Sequence, residues 1–398
     1  MQNRIHIFCA LLLLVAEFAA SVSAASVSEL VDEGVSLTFE GRRDDADRVW
    51  ETLRTEHPND PSGWVHQVDT LYWRQMFDEG DTSYDQAIEF NSQEGARIAE
   101  VRIAAEESDA RAHYHLGRAL IHLGRLEGIR GRYLSAGTYG ERGRLHLERA
   151  MELDPTLVDA RYPLGLCYFY ADLVTRWFKW LTWLWFVPSG DGSTGLRYIE
   201  ETTEHGGVHQ NDAQFVLADI SMEFEPLRVE KATELIDDLH GRFPKNALIH
   251  YQLIDARFTS GRFEDVIDES HRLEDGSGGD GLDTLIRSMA PLWRARAGLQ
   301  IGDVDGARRA LEAFPLDGPP RPHWGSAWVG LTRAQLLDVV GRREDAEAFY
   351  ERVVALEVPK RSRKAAGLAE IGLATPFAPV VAEGHVFRAR PGLLESRP

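Results

Sequence analysis

Apolar residues recur at intervals of three and four along almost the whole chain. The segment containing Leu235, Ile236 and Leu239 is typical, and this spacing places apolar side chains on one face of an α-helix. Runs in which apolar and polar residues alternate, as in a half-buried strand, are scarce. The pattern therefore predicts an all-α protein built from amphipathic helices.

The helical pattern is repeated in units of about 34 residues. In residues 27–60, Gly34 lies at repeat position 8, where a missing side chain lets the two helices of a unit approach each other. Gly41 lies at position 15 and suits a left-handed turn between the helices. Further marks of this unit are Ala46 at position 20, Trp50 at 24, Leu53 at 27 and Pro58 at 32. The register predicts two antiparallel helices in each unit.

Later segments repeat this register with more variation. Glycines stand at crossing or turn positions in several of them: Gly117, Gly124, Gly165, Gly261, Gly302 and Gly341. Over most of residues 27–360 the chain resembles the tetratricopeptide repeat (TPR) family, and it is similar to exported bacterial members. The resemblance implies an all-α fold, a right-handed α-α superhelical solenoid of tetratricopeptide-type helical hairpins. It also implies a concave face, built from the first helix of each unit, that commonly holds peptides or partner proteins.

The repeats divide the chain into two predicted parts. Residues 25–275 carry tetratricopeptide-like helical repeats, with insertions predicted near residues 75–108 and 125–142. A Gly-Ser-Gly-Gly run follows, and residues 276–372 carry further repeats and a capping helix. Residues 373–398 contain Pro and Gly without periodicity, so we predict an irregular tail there.

The first 24 residues have the form of a secretory signal peptide. Arg4 precedes an apolar run from Ile7 to Ala16, and Val22-Ser23-Ala24 provides the small residues of a cleavage site. The run is too short to span a bilayer as a helix. We therefore expect cleavage near Ala24 or Ala25 and export to the periplasm or cell envelope, with a retained N-terminal anchor as the alternative.

Composition narrows the classes of function. The formal net charge of −19 argues against nucleic-acid binding, which depends on a cationic surface. Removal of residues 1–24 takes Cys9 away and leaves Cys167 alone, so no internal disulfide is expected. The chain has no His-Glu-x-x-His, Gly-x-Ser-x-Gly or paired-cysteine motif. We therefore expect a protein that is not an enzyme and that holds neither a cofactor nor a metal.

A stripe of basic residues lies on one predicted helix. Its members, spaced 4, 3, 4 and 3 residues apart, are Arg111, His115, Arg118, His122 and Arg125. The resemblance implies that Arg111, Arg118 and His122 face the concave groove, with Tyr114 beside them. Arginine forks bind carboxylates and phosphates in bidentate fashion, so an acidic partner is one interpretation. The alternative is a solvated face that pairs with acidic residues of neighbouring helices.

Four of the ten tryptophans lie between Trp177 and Trp185, including Trp180. The apolar stretch around them is too short for a membrane span and contains two cations. This Trp-rich helix, predicted over residues 174–187, is interpreted as part of the solenoid core, as a membrane-surface segment or as a docking patch for a protein.

Together these features predict an exported, non-enzymatic scaffold that binds a protein or peptide on the concave face. The alternative is an envelope-associated binder or carrier of an anionic lipid or glycan, with peripheral membrane contact. The candidate partner-binding residues are Arg111, Tyr114, His115, Arg118, His122, Arg125, Trp177 and Trp180. Nothing in the pattern specifies an oligomeric state.

Overall fold

The computed structural model describes residues 25–177, 191–205, 207–223, 229–315, 322–356 and 360–380, and the side chains of all of these except 174–177 and 360–362. The predicted signal peptide (1–24), Trp180, the side chain of Trp177 and residues 381–398 of the predicted tail lie outside this description.

The fold is a succession of α-helices. They are α1 (Val27–Phe39), α2 (Arg43–Glu56), α3 (Ser62–Gln75), α4 (Asp85–Ala105), α5 (Ala110–Ile129), α6 (Tyr133–Leu153), α7 (Arg161–Trp177), α8 (Gly192–His205), α9 (Gln210–Glu223), α10 (Val229–Arg242), α11 (Ala247–Thr259), α12 (Phe263–Asp275), α13 (Gly281–Ser288), α14 (Ala290–Ile301), α15 (Val304–Leu311), α16 (Gly325–Val339), α17 (Arg343–Val354) and α18 (Lys360–Ala374). The described residues contain no strand, and the all-α prediction is confirmed.

The first hairpin shows how the sequence produces the repeat. Ser26 caps α1, since its hydroxyl accepts a hydrogen bond from the Glu29 amide while the Glu29 carboxylate accepts one from the Ser26 amide at 2.8 Å. A side chain at Gly34 would collide with the indole of Trp50, which is 1% exposed. Gly41 has φ +78°, a backbone conformation that favours glycine, and this turn sends the chain into α2. The crossing and the turn therefore both depend on glycine.

The hairpins stack into a solenoid. The first helices of successive units lie side by side, α1 against α3, α3 against α5, α9 against α11 and α14 against α16. Each helix has one face against its own partner and another against the next unit, so the array has a continuous core. The predicted helical-repeat solenoid is confirmed.

One hairpin is longer than the others. Helices α5 and α6 have 20 and 21 residues, whereas α1 and α2 have 13 and 14. The segment 125–142, predicted as an insertion, forms the end of α5, the turn at Gly131 and the start of α6. The extra residues therefore lengthen both helices of this hairpin, beside the 21-residue helix α4.

The inner face of the solenoid is largely filled by the chain itself. Phe39 packs on Trp73 with ring centres 4.7 Å apart, and Trp73 packs on Phe215 at 4.8 Å. Phe77 packs on Trp324 at 5.3 Å, and the Trp324 indole N–H donates to the Phe77 carbonyl at 2.6 Å. These residues belong to one core cluster that runs across the Gly-Ser-Gly-Gly loop between α12 and α13. The array therefore curls until its N-terminal units touch its C-terminal half.

A buried ion pair holds this closure. Arg43 at the start of α2 is fully buried and donates to Asp280 at 3.0 Å and to Asp283 at 3.2 Å, across the superhelix. Nearby, the Asn246 side chain caps α11 and donates to the Phe39 carbonyl at 2.8 Å.

Among the described residues no helix has the length and apolarity needed to cross a membrane.

Candidate functional site

A cluster of polar side chains lies on the inner face where α3, α5 and α9 meet. We call it the inner cluster, and its members are His66, Asp69, Tyr114, His115, Arg118, His122, His209 and Asp212. The two α3 members are three residues apart; on α5, Arg118 lies four residues after Tyr114, three after His115 and four before His122, so each helix presents its set on one face.

Arg118 is the central cation of the inner cluster. It is 2% exposed, pairs with the Asp69 carboxylate and donates to His66 Nε2 at 3.2 Å. Its guanidinium carbon also lies 5.3 Å from the ring centre of Tyr114. A buried charge needs such partners because desolvation is expensive. Burial raises the pKa of the Asp69 carboxyl, but the Arg118 guanidinium and the hydrogen bonds from His122 and His66 together outweigh that effect and hold the pKa well below its usual range.

Three histidines of the inner cluster, His66, His115 and His122, are held neutral. His66 accepts from Arg118 at Nε2, so its proton is on Nδ1, 3.1 Å from Asp69. Burial, helped by Arg118, lowers the pKa of His66 to about 4. Burial also lowers the pKa of His115, whose Nε2 lies 3.2 Å from the Ser62 hydroxyl, and that of His122. Protonation of any of them would place a second cation beside Arg118.

A second branch of the cluster ties α5 to α9. The Tyr114 hydroxyl lies 2.8 Å from His209 Nε2, and His209 Nδ1 lies 3.4 Å from the Asp212 carboxylate. The Trp73 indole N–H donates to the other Asp212 oxygen at 3.0 Å. With Nδ1 donating to Asp212, Nε2 accepts from the Tyr114 hydroxyl. Three helices from separate repeats are thereby joined by one hydrogen-bonded chain.

The predicted basic stripe is divided by the structure. Its members His115 and Arg118 and the adjacent Tyr114 are buried, and the His122 side chain is 12% exposed. The ends of the stripe, Arg111 and Arg125, are exposed. In the middle of this face, Arg118 and His122 pair with Asp69 of the neighbouring helix α3, as in the alternative interpretation of the stripe. A partner would meet only the ends without rearrangement of the helices.

Four members of the inner cluster were missed in the sequence: His66, Asp69, His209 and Asp212. Each pair has a His-x-x-Asp spacing, which is a signal for a side-chain pair on a helical face. It does not indicate which helix that face meets. Trp180 and the side chain of Trp177, and with them the Trp-rich prediction, lie outside the described side chains.

Comparison with known proteins yields similarities of fold. No family model and no curated protein matches the chain. Among solved structures, yeast Tom70 is 14% identical to this chain, with a TM-score of 0.39. The aligned region covers 89% of this chain and 84% of the Tom70 chain. A tetratricopeptide repeat protein of Parabacteroides merdae is 10% identical with a TM-score of 0.31, covering 86% of this chain and 98% of its own. The C-terminal part of a TPR repeat-containing protein of Cytophaga hutchinsonii is 12% identical with a TM-score of 0.30, covering 84% and 98%.

The assignment rests on the repeat itself. Antiparallel helix pairs stack with first helix against first helix, and left-handed glycines such as Gly41, Gly261 and Gly341 close the hairpins. This is an all-α helical repeat protein, a solenoid of stacked helical hairpins. In such an array the inner face is the surface from which a site is built, and the inner cluster lies on it.

Two further features of the interior concern its reactive side chains. Cys167 is buried enough that the pKa of its thiol rises to about 12, so the thiolate nucleophile is scarce at neutral pH. Within the described part of the chain, no group of three His, Cys, Asp or Glu side chains is arranged to hold a metal ion. Most polar groups of the inner cluster hydrogen-bond or pair with one another across α3, α5 and α9, and these contacts join the repeats.

Proposed function

We propose that this protein is an exported, non-enzymatic scaffold that binds a protein or peptide partner through its inner face. One observation carries the proposal. Eight arginines lie between residues 110 and 150, and six of them pair with a carboxylate within 4.0 Å. The other two, Arg111 and Arg125, are exposed and form no ion pair with any described residue.

These two arginines suit an extended acidic ligand. They stand fourteen residues apart on α5, or roughly 21 Å along the helix axis. Arg125 is held in place, since its guanidinium carbon lies 4.2 Å from the ring centre of Tyr72. A carboxylate could take both N–H groups of either fork. The separation favours a peptide or a protein surface over a small molecule, which would reach only one of the two.

The proposal of export is supported by the position of helix α1 relative to the predicted signal peptide. Ser26 caps α1, and the Ala25 carbonyl lies 3.0 Å from His57 Nε2. Helix α1 therefore starts within three residues of the predicted cleavage site. Cleavage there would leave the hairpin α1–α2 complete.

The proposal is tested by site-specific crosslinking followed by a binding measurement. A photo-crosslinking amino acid is placed at position 111 or 125 in the source cells, and captured proteins are purified and titrated against the scaffold. We expect reversal to Arg111→Glu or Arg125→Glu to weaken binding by about tenfold each, the size of one charge-assisted contact. Arg308 is also exposed and without an ion pair among described residues, so Arg308→Glu is the charge-matched control.

The outcomes separate the two functions considered for the sequence. Equal binding by all three variants would overturn the inner-face proposal. Binding to vesicles with anionic lipid, lost in Arg111→Glu and Arg125→Glu and accompanied by no captured protein, would favour the envelope-associated carrier instead. Vesicles of neutral lipid are the control for the vesicle-binding experiment.

A further inference from the structure

An open cleft of about 330 Å³ lies where α2, α3 and α4 meet, away from the inner cluster. Its aromatic and polar lining residues are Glu51, Arg54, Trp64, Gln67, Phe90 and Asn91, and we call it the Phe90 cleft. On α3, Trp64 and Gln67 lie on the opposite side of the helix from His66 and Asp69, because successive residues are rotated by about 100°. The cleft is therefore separate from the inner face.

Phe90 provides the aromatic surface of the cleft. It is 55% exposed, and its ring packs against that of Trp64 with ring centres 5.7 Å apart and planes at 76°. The Trp64 indole is covered in turn by Arg54, whose guanidinium carbon lies 4.9 Å from the ring centre. Trp64 thus supports Phe90 from behind, and Phe90 is the ring that a ligand would contact.

The charges in the cleft cancel. Arg54 pairs with the Glu51 carboxylate at 2.6 Å, and its side chain is only 14% exposed, whereas that of Glu51 is 70% exposed. A cation in the cleft would meet Arg54 and an anion would meet Glu51, so neither is attracted by a net charge. The lining therefore suits an uncharged ligand.

Hydrogen-bond acceptors outnumber donors in the cleft. Nη1 of Arg54 donates over long distances to the side-chain oxygens of Gln67, at 3.4 Å, and Asn91, at 3.5 Å, and to a backbone carbonyl at 3.3 Å. That nitrogen carries two N–H groups for three oxygens. The amide nitrogens of Gln67 and Asn91 are engaged elsewhere, with Asp47 and with a carbonyl of α4, each at 2.7 Å. The two amide oxygens are thus held towards Arg54 with capacity for further donors.

We infer that the Phe90 cleft binds a neutral saccharide, with one pyranose ring against Phe90 and its hydroxyls donating to the oxygens of Gln67 and Asn91. A pyranose is uncharged, has C–H groups on its faces and has hydroxyl donors around its edge. These properties match an exposed aromatic ring beside under-used acceptors in a site without net charge. Because the cleft lies outside the inner face, the inference goes beyond the proposed partner site and does not depend on it.

Two trisaccharides and an open-chain polyol test the inference on the mature protein. The probes are maltotriose, the trisaccharide of β-linked N-acetylglucosamine, and sorbitol, which has the hydroxyls of a sugar but no rigid ring. Fluorotryptophan is incorporated, and the fluorine NMR signal of Trp64 is assigned with Trp64→Phe. We expect at least one trisaccharide to shift this signal saturably and sorbitol to leave it unchanged. No saturable shift with either trisaccharide up to about 10 mM would overturn the inference, as would an equal response to sorbitol.

Substitution of Phe90 gives the second readout. Because this ring is exposed, Phe90→Ala should leave the melting temperature nearly unchanged and weaken trisaccharide binding by about tenfold, the effect of one aromatic contact. Tyr133 of α6 is 69% exposed and does not line the cleft, so Tyr133→Ala is the matched control and should bind as the unaltered protein does. Equal affinities for the two variants would show that the sugar is held elsewhere and would contradict the assignment to this cleft.

Discussion

Arg43 of α2 and Asp283 of α13 form a fully buried ion pair between residues 240 positions apart in the sequence. Removal of one partner leaves an uncompensated charge in the interior. We therefore expect Arg43→Ala to lower the free energy of unfolding by about 3–5 kcal/mol, measured by urea denaturation. Arg48 pairs with Asp45 at the surface, so Arg48→Ala should cost less than about 1 kcal/mol.

The double variant Arg43→Leu with Asp283→Leu distinguishes the ion pair from the general loss of packing. Replacement of Arg43 and Asp283 by leucine removes both fully buried charges together with their attraction, and Asp280, which also pairs with Arg43, retains contact with solvent at 15% exposure. The double variant should recover most of the stability lost in the single one. Equal destabilisation by Arg43→Ala and Arg48→Ala would mean that this closure is not held by the pair.

The close crossing of α1 and α2 predicts that alanine substitution at two glycines changes the stability of the protein by different amounts. A Cβ at Gly34 meets the Trp50 ring, whereas a Cβ at Gly140 in α6 meets nothing within 4 Å. We expect Gly34→Ala to destabilise by about 1–3 kcal/mol through overpacking. Gly140→Ala should be neutral or stabilise by up to about 1 kcal/mol, because alanine favours a helix. Thermal unfolding followed by circular dichroism measures both, and identical melting temperatures would argue against the close crossing.

The lowered pKa of His66 predicts that the folded protein loses stability as the pH falls. Its pKa is lowered from 6.5 to about 4 in the folded protein. Between those values the unfolded chain binds a proton that the folded chain does not, so stability contributed by neutral His66 falls as the pH falls from 6.5 towards 4. The loss amounts to about 3 kcal/mol. Unfolding free energies measured at pH 7.5, 6, 5 and 4 give the slope.

His66→Gln is the matched variant for that slope, because its amide oxygen can accept from Arg118 without titrating. We expect its stability to fall less steeply with pH than that of the unaltered protein. The remaining slope belongs to other groups, including His115 and His122, whose pKa values are also lowered by burial. Parallel curves for the two proteins would exclude a neutral buried His66.

The proposed export predicts a defined mature N-terminus. When the full chain is expressed in a Gram-negative bacterium, intact-mass and N-terminal analysis of the periplasmic fraction should find a chain that starts at Ala25 or Ser26. Substitution of both Val22 and Ala24 by Arg should block processing, because signal peptidase requires small residues there. Recovery of a chain that begins at Met1 from the soluble fraction would contradict the prediction.

Much of the fold was predictable because its causes are local. Gly34, Gly41 and Trp50 act on residues of the same hairpin, and apolar spacing of three and four defines the buried face of each helix. The candidate site was less predictable. The spacing of the basic stripe correctly placed Arg111, Arg118 and Arg125 on one face of α5, but it carried no information about what that face meets.

The sequence by itself determined the helices, their pairing into hairpins and the glycine turns, since each depends on contacts within about 34 residues. Only the tertiary structure decided which polar residues are buried. Arg118 meets Asp69 from the preceding unit and Tyr114 meets His209 ninety-five positions away, while Arg296 meets three rings and no acid. These contacts depend on how far the superhelix curls, and that curvature sums small rotations over every repeat, so no single segment of sequence specifies it.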